Sequence, residues 1–437
     1  MSYEKILSRF KINALNEMQN ATISAIQKRA DVVLISPTGS GKTIAFLLPL
    51  LNLLSKNEKE VQTMILVPTR ELAIQIEQVF KMLGTEFKIN CCYGGHSVSI
   101  EKNNLQQPPA VLVGTPGRIA HHIDHQNIST NKISLLILDE FDKSLDAGFQ
   151  DEMSFIISMM SFLKQRILTS ATPLKEIPSF VGLHKAIELN FSHSHKKTES
   201  ALKIKIVTAT GIDKMDALML LIGKLGNKSK IVFCNHRDTV ERISGHLKQL
   251  KIEHGVYHGG LDQIDREKAL IKLKNGSIHL LLSTDLASRG LDIPEIEFII
   301  HYQLPATEDI MIHRNGRTAR MYASGTAYFL LKETDHLPPF LKITTENESL
   351  PEKMQSPKPS EWKTLYLSAG KKDKINKIDI VGMLLQKGGL KKEELGKIEV
   401  LDYSAYAAVK REKIEQTLDM IRNEKIKNKK VKFEISI

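Results

Sequence analysis

Eight residues, Ser36-Pro37-Thr38-Gly39-Ser40-Gly41-Lys42-Thr43, constrain this chain more than any other stretch. An apolar run, Val32–Ile35, precedes them and a second, Ile44–Leu48, follows. The order is strand, glycine-rich turn, helix. A polyphosphate needs this order, because backbone N–H groups of the turn and the first helical turn then point at the anion. Gly39 and Gly41 let the backbone curl, Thr38 and Ser40 complete the loop, Lys42 can reach the β- and γ-phosphates, and the Thr43 hydroxyl can ligate Mg²⁺. The pattern opens on Ser36 where the strict motif has glycine.

Such a loop needs an acid at the end of a neighbouring strand. Leu135–Leu138 followed by Asp139-Glu140 supplies it. Asp139 is placed to hold Mg²⁺, directly or through water, and Glu140 to orient or deprotonate an attacking water. An acidic pair after a strand also suits a helix N-terminus. Ala21–Arg29 reads as a short helix, and the remaining apolar runs alternate with helical stretches. Met64–Val67, Ile89–Tyr93, Ala110–Val113 and Arg166–Leu168 read as strands, as do Lys230–Cys234, Gly255–Tyr257, His279–Leu282, Phe298–Tyr302 and Gly325–Leu330. This predicts two mostly parallel α/β domains with ligands at strand C-termini. A polar stretch at Phe191–Ser200 reads as the tether between them, and 336–360, rich in proline and charge, as a linker.

The chain has 437 residues and a net charge of +11, which suits a polyanionic partner. In residues 361–437 the balance is 18 basic to 12 acidic, so over half the excess lies there. The pattern of that tail is β-α-β-β-α-β. Cys91, Cys92 and Cys234 show no metal spacing, Met1–Arg9 has no apolar signal core, and no apolar run reaches membrane-spanning length. A reduced, cytoplasmic setting is expected. A third cluster, His313-Arg314-Asn315-Gly316-Arg317-Thr318-Ala319-Arg320, puts three arginines at one place. Guanidiniums supplied from a second domain stabilise a transferring phosphoryl group, an effect of about 10³–10⁵ in rate.

Taken in order, these elements resemble a DEAD-box RNA helicase over about residues 10–330. They are Gln19, S-P-T-G-S-G-K-T, P-T-R-E-L-A at 68–73, Gly94-Gly95, T-P-G-R at 115–118, D-E-F-D at 139–142 and S-A-T at 170–172. Then follow V-F-C-N at 232–235, Gln263-x-x-Arg266, S-T-D-L-A-S-R-G-L-D at 283–292, and H-R-N-G-R-T-A-R. The resemblance implies two RecA-like P-loop domains, at 1–195 and 201–335, that hydrolyse ATP with Mg²⁺. Gln19 is then expected to read adenine, with Ile12 packing on the base and Asp292 on the ribose. Arg317 and Arg320 are expected to serve as arginine fingers. Asp142, Ser170, Thr172 and His313 are expected to couple ATP to RNA. RNA backbone is expected at Thr69, Arg70, Gly95, Thr115, Gly117, Arg118, Gln263, Arg266 and Thr284, contacts that position rather than read sequence.

Four positions depart from the family. Phe141 stands where it usually has alanine, Glu17 displaces a proline, Ile12 replaces an aromatic, and Asn315 replaces an apolar residue. Phe141 must find apolar space behind the site. None removes a catalytic group.

The tail, 361–437, fits an RNA-recognition-motif-like fold and resembles the C-terminal domain of DbpA-type DEAD-box proteins. That family docks the tail on large-subunit ribosomal RNA, which implies a ribosome-assembly helicase. Lys371, Lys372, Lys374, Lys425, Lys427, Lys429 and Lys430 are the candidate RNA-facing groups, although the later run also reads as a solvated loop. Tyr403 and Tyr406 read equally as core or as base-stacking rings. Other readings stay open: a DNA translocase on the same core, or an ATP-gated RNA clamp or annealing chaperone. A monomer is expected, with a dimer not excluded.

Overall fold

A computed structural model describes residues 3–10, 12–37, 39–95, 98–174, 176–192, 202–288, 296–318, 325–341 and 346–436. The chain divides into two compact units, one running to about residue 200 and one comprising the remainder.

The first unit is a seven-stranded parallel sheet. Its strands are β1 (Val32–Ile35), β2 (Thr63–Leu66), β3 (Ile89–Cys92), β4 (Val111–Gly114), β5 (Leu135–Leu138), β6 (Gln165–Ser170) and β7 (Ile187–Asn190), in the order β3-β4-β2-β5-β6-β1-β7. Four of the strands (β1, β2, β4 and β5) are buried end to end and, but for Thr63, apolar, as a sheet covered on both faces requires. The order sorts the candidate residues. The loops after β2, β3 and β4, which carry Thr69–Arg70, Gly94–Gly95 and Thr115–Arg118, lie side by side. Those after β1, β5 and β6 hold the phosphate loop, Asp139-Glu140 and Ser170–Thr172. Phe141 is fully buried in the core with Leu138, Ile119 and Val33, so its ring finds the apolar space expected of it.

The helix anticipated over 21–29 begins earlier, at Glu17, and ends at Gln27. Asn16 caps it, and a capping box joins Asn16 to Gln19. The segment at 191 also differs from expectation. The Phe191 N–H donates to the Ile35 carbonyl at 2.7 Å and its ring packs on Met18, Leu34 and Ala45. Phe191 thus belongs to the first unit, and 193–200 lie outside the described residues.

The second unit holds a second seven-stranded sheet and the tail domain. The strands are β8 (Leu202–Ala209), β9 (Lys230–Phe233), β10 (Gly255–Tyr257), β11 (Leu280–Ser283), β12 (Phe298–His301), β13 (Gly325–Lys332) and β14 (Glu346–Asn347). Their order is β10-β11-β9-β12-β13-β8-β14, and every pair is parallel. The presence of β14 corrects the linker reading of 336–360. Glu346–Asn347 extend the sheet, Glu348 is paired with Lys205 at 2.5 Å, and Leu350 and Met354 pack on the core. Apolar residues spaced irregularly among prolines carry no periodicity, so this packing left no signature in the sequence.

The tail is a four-stranded antiparallel sheet with two helices, Lys377–Gln386 and Ile414–Ile421. Strands β15 (Trp362–Leu367), β16 (Leu395–Val400), β17 (Ala405–Lys410) and β20 (Phe433–Ile435) run in the order β16-β17-β15-β20. A hairpin, β18 (Lys425–Ile426) with β19 (Lys429–Lys430), occupies the stretch read as a loop. Lys427 and Asn428 both take positive φ at its turn, which a two-residue hairpin demands. Leu365, Leu367, Ile398, Val400, Ala407 and Val409 line the core. The alternate residues of the strands point the other way, and there Trp362 and Thr364 meet the preceding domain. The Thr364 hydroxyl, 1% exposed, accepts from Asn275 Nδ2 at 2.9 Å and donates to Ser277 Oγ at 2.8 Å. Lys397 Nζ reaches the Lys274 carbonyl at 3.1 Å, and Arg411 pairs with Glu253.

Candidate nucleotide site and nucleic-acid interface

The phosphate loop leaves β1 and enters the helix Lys42–Leu53 through Gly39 (φ 84°) and Gly41 (φ 89°). The positive φ of Gly41 strains any other residue there, and a Cβ would also push on the Gln19 amide nitrogen, 2.4 Å away. Lys42 is anchored on the carbonyls of Ser36 and Pro37. Burial lowers its pKa, opposed by the carboxylates of Asp139, Glu140 and Asp142. The Ser36 and Ser40 hydroxyls are buried with no hydrogen-bond partner among the described residues. A buried hydroxyl without a partner is costly, and phosphate oxygens would satisfy both, so the residues present fit a nucleotide polyphosphate. Thr38 lies outside the described residues.

Asp139 and Glu140 follow β5 as expected. Asp139, 3% exposed, accepts from the Thr169 hydroxyl. Burial raises its pKa, opposed by Thr169 and Lys42. The Glu140 backbone is left-handed (φ 49°), and its N–H lies 3.2 Å from both Asp139 Oδ1 and Thr169 Oγ1. A non-glycine residue held at positive φ stores strain of the kind found at functional sites. Thr169 was not anticipated. Its signal is a hydroxyl one position before Ser170, at the end of the strand beside β5.

The coupling residues are partly joined. Thr172 Oγ1 reaches Asp142 Oδ2 at 3.5 Å, whereas the Ser170 hydroxyl donates to the Thr172 carbonyl at 2.6 Å. Gln19, 4% exposed, spans from the Asn16 N–H at 3.0 Å to the Gly41 carbonyl at 3.3 Å, which ties its helix to the phosphate loop. Ile12 packs at the rim of the first core.

Among the backbone-contact candidates, Thr69 caps the helix Arg70–Leu83, and Arg70 lies over Gly94 and Gly95. A Cβ on Gly95 (φ 94°) would sit 2.2 Å from Arg70 Nη1. Thr115 and Gly117 begin the helix Pro116–Asp124, and the Arg118 side chain turns inward against Glu101 at 3.3 Å.

In the second unit, Gln263 donates to Glu267 at 2.9 Å, Arg266 is 9% exposed, and Thr284 follows β11. His313 and Arg317 are buried, while Asp292 and Arg320 lie outside the described residues. Arg314, unassigned by sequence, is fully buried. It pairs with Asp285 at 2.5 Å and donates to Asn235 Oδ1 and the Gln303 carbonyl. It thereby joins three of the ordered motifs.

Asn315 has a polar partner in His301, whose ring nitrogen lies 2.9 Å from Asn315 Oδ1. Burial, then Arg314, push the His301 pKa down to about 3, opposed by the Asn315 hydrogen bond. The folded value lies below the unfolded one of about 6.5, so the unfolded chain binds the extra proton. This contribution to stability is complete above pH ~6.5 and is lost as pH falls from there toward 3. Denaturant unfolding between pH 6 and 4 is expected to lose about 1 kcal/mol per pH unit through this group. That part of the slope should vanish in His301→Gln.

In the tail, Lys427 pairs with Asp379 at 2.7 Å and Lys429 with Asp373 at 3.1 Å. These pairs bring the lysine hairpin against the turn of Lys371, Lys372 and Lys374, and Lys425 and Lys430 are exposed beside it. Tyr403 is 58% exposed, whereas Tyr406 is buried with its ring 5.4 Å from Tyr366.

Residues 16–180 match the DEAD/DEAH box helicase family, 213–322 the helicase conserved C-terminal domain and 364–435 the DbpA RNA binding domain. The chain is 29% identical to the ATP-dependent RNA helicase DbpA of Bacillus subtilis, over 95% of this chain and 93% of that one. It is 29% identical to DbpA of Escherichia coli, over 97% and 96%. It is 35% identical to the DEAD-box ATP-dependent RNA helicase CshB of Bacillus subtilis, over 73% and 74%. In fold it resembles Saccharomyces cerevisiae Dbp5 bound to RNA and ADP BeF3, with a TM-score of 0.69, 24% identity, and coverage of 80% of this chain and 94% of that one.

Proposed function

Because the chain belongs to the DEAD-box ATP-dependent RNA helicases, which are ATP hydrolases, we propose that it spends ATP to unwind or remodel structured RNA locally, and that its target is large-subunit ribosomal RNA during ribosome assembly. The observation that carries this is the tail. It matches the DbpA RNA binding domain over 364–435, and in it the Lys427–Asp379 and Lys429–Asp373 pairs bring together two lysine groups distant in sequence. The cytoplasm is the setting this reading calls for.

In the first unit, Lys42 and the loop N–H groups hold the β- and γ-phosphates, and Gln19 reads the base. Thr43 and Asp139 would hold Mg²⁺, which neutralises phosphate charge when bound. Glu140 orients the attacking water, and its strained backbone keeps the carboxylate in one place. Arg317 and Arg320 supply cationic charge to the transition state. Asp142 and Thr172 link this chemistry to the loops after β2, β3 and β4, where hydroxyls and backbone amides take RNA phosphates.

The test compares ATP turnover on a large-subunit ribosomal RNA fragment with turnover on a scrambled RNA of equal length, at one salt concentration. The expected result is a KM at least tenfold lower for the ribosomal fragment, with the preference lost when Lys371, Lys372, Lys427 and Lys429 are replaced by alanine. Equal KM values for both RNAs would remove the ribosomal assignment.

A further inference from the structure

Glu101 lies on the short helix Val98–Leu105 between β3 and β4 and is 5% exposed. One carboxylate oxygen accepts from the Tyr93 N–H at 3.0 Å, immediately before Gly94-Gly95. The other accepts from His122 Nε2 at 2.8 Å and pairs with Arg118 Nη1 at 3.3 Å. Asn127 Nδ2 sits 3.2 Å from His122 Nδ1, so Nδ1 accepts and Nε2 carries the proton given to Glu101. The side chain of Arg118 is 12% exposed and that of His122 fully buried.

Cys92 joins these groups, and ligand atoms of Cys92, Glu101 and His122 lie within 4.8 Å of one another. A cation is disfavoured there. The guanidinium already sits on the carboxylate, and burial pushes the Cys92 thiol far up, away from the thiolate a metal needs.

The network joins two loops rather than a loop to an ion. Backbone pairing ends at the bond from the Thr115 N–H to the Cys92 carbonyl, 3.1 Å. Beyond it the chain after β3 and the helix Pro116–Asp124 after β4 part, and Glu101 bonds to both.

We propose that Glu101 is a positioning residue for RNA binding, bracing the Gly94-Gly95 loop against the Thr115–Arg118 loop so that both present their amides and hydroxyl to successive phosphates in one geometry. This rests on the assignment of those loops to RNA. Arg118 and His122 act as the inner half of the brace.

The test is Glu101→Gln in the full chain, which keeps an acceptor for Tyr93 but removes the charge facing Arg118. The KM for RNA is expected to rise about tenfold, the cost of loosening a preorganised site. Turnover at saturating RNA and ATP affinity without RNA should stay within about twofold of wild type. Arg118→Lys should give a similar rise, and the double variant should be no worse than either single one, because the pair acts as a unit. An unchanged KM in a folded Glu101→Gln protein overturns the proposal. So does a parallel fall in KM-independent turnover, RNA-free ATP affinity and melting temperature, which marks a structural role alone. Arg70→Ala separates this from the assignment beneath it. If Arg70→Ala raises the KM while Glu101→Gln does not, the brace alone fails. If neither does, the RNA face itself is misplaced.

Discussion

Glu140→Gln is expected to lower RNA-stimulated ATP turnover by about 10²–10⁴-fold, the usual contribution of a positioned general base. The substitution is isosteric, and the backbone that fixes the site is untouched. The Glu140 N–H keeps its bonds to Asp139 Oδ1 and Thr169 Oγ1 at 3.2 Å. Lys42, which should grip phosphate, stays anchored on the carbonyls of Ser36 and Pro37. ATP and RNA affinity should therefore survive while turnover collapses. Steady-state phosphate release, read beside equilibrium binding of a fluorescent ATP analogue, checks both halves. Full turnover in the variant would assign the water to another group.

Arg314→Ala is expected to cost the second unit about 3–5 kcal/mol, the penalty for removing one partner of a buried ion pair. Asp285 loses its cation, and Asn235 Oδ1 and the Gln303 carbonyl lose a donor together. Arg314→Lys should recover little, because a single ammonium cannot reproduce the fork. Trp362, the only tryptophan, lies between Gly276 and Gly396 in this unit. Its fluorescence in urea reports the loss as a lower midpoint with an unchanged slope. A midpoint matching the wild type would mean that the guanidinium is dispensable.

The alternation of apolar runs with glycine-rich and acidic turns made most of both parallel sheets legible, because each run is long enough for one buried strand and each special residue falls just past its end; β7, β8 and β14 were not anticipated. The positions of the phosphate loop, Asp139 and Glu140 were legible for the same reason, whereas the Asp142–Thr172 contact was expected only from the family resemblance. What escaped depends on partners distant in the chain. Gln19 was recognised, but its capping box with Asn16 was not, although N-x-x-Q before an apolar run is a helix-start signal. Arg314, Thr169 and Glu101 are ordinary letters until the fold supplies their neighbours. The stretch 336–360 misled because prolines and charges hide the few apolar residues that pack. In the tail, the turn of β18 and β19 is Lys427-Asn428, a pair without the glycine that usually betrays such a turn.

The covered sheet of the tail has a consequence for dissection. A fragment beginning at residue 361 would uncover Thr364 and the Trp362 ring together. Aromatic rings on an open sheet collect unpaired bases indiscriminately. Such a truncated piece would report stickiness that the parent molecule keeps folded away. Exchanging tails between homologues would likewise require grafting Asn275 and Ser277 along with the insert, since the seam belongs to both sides.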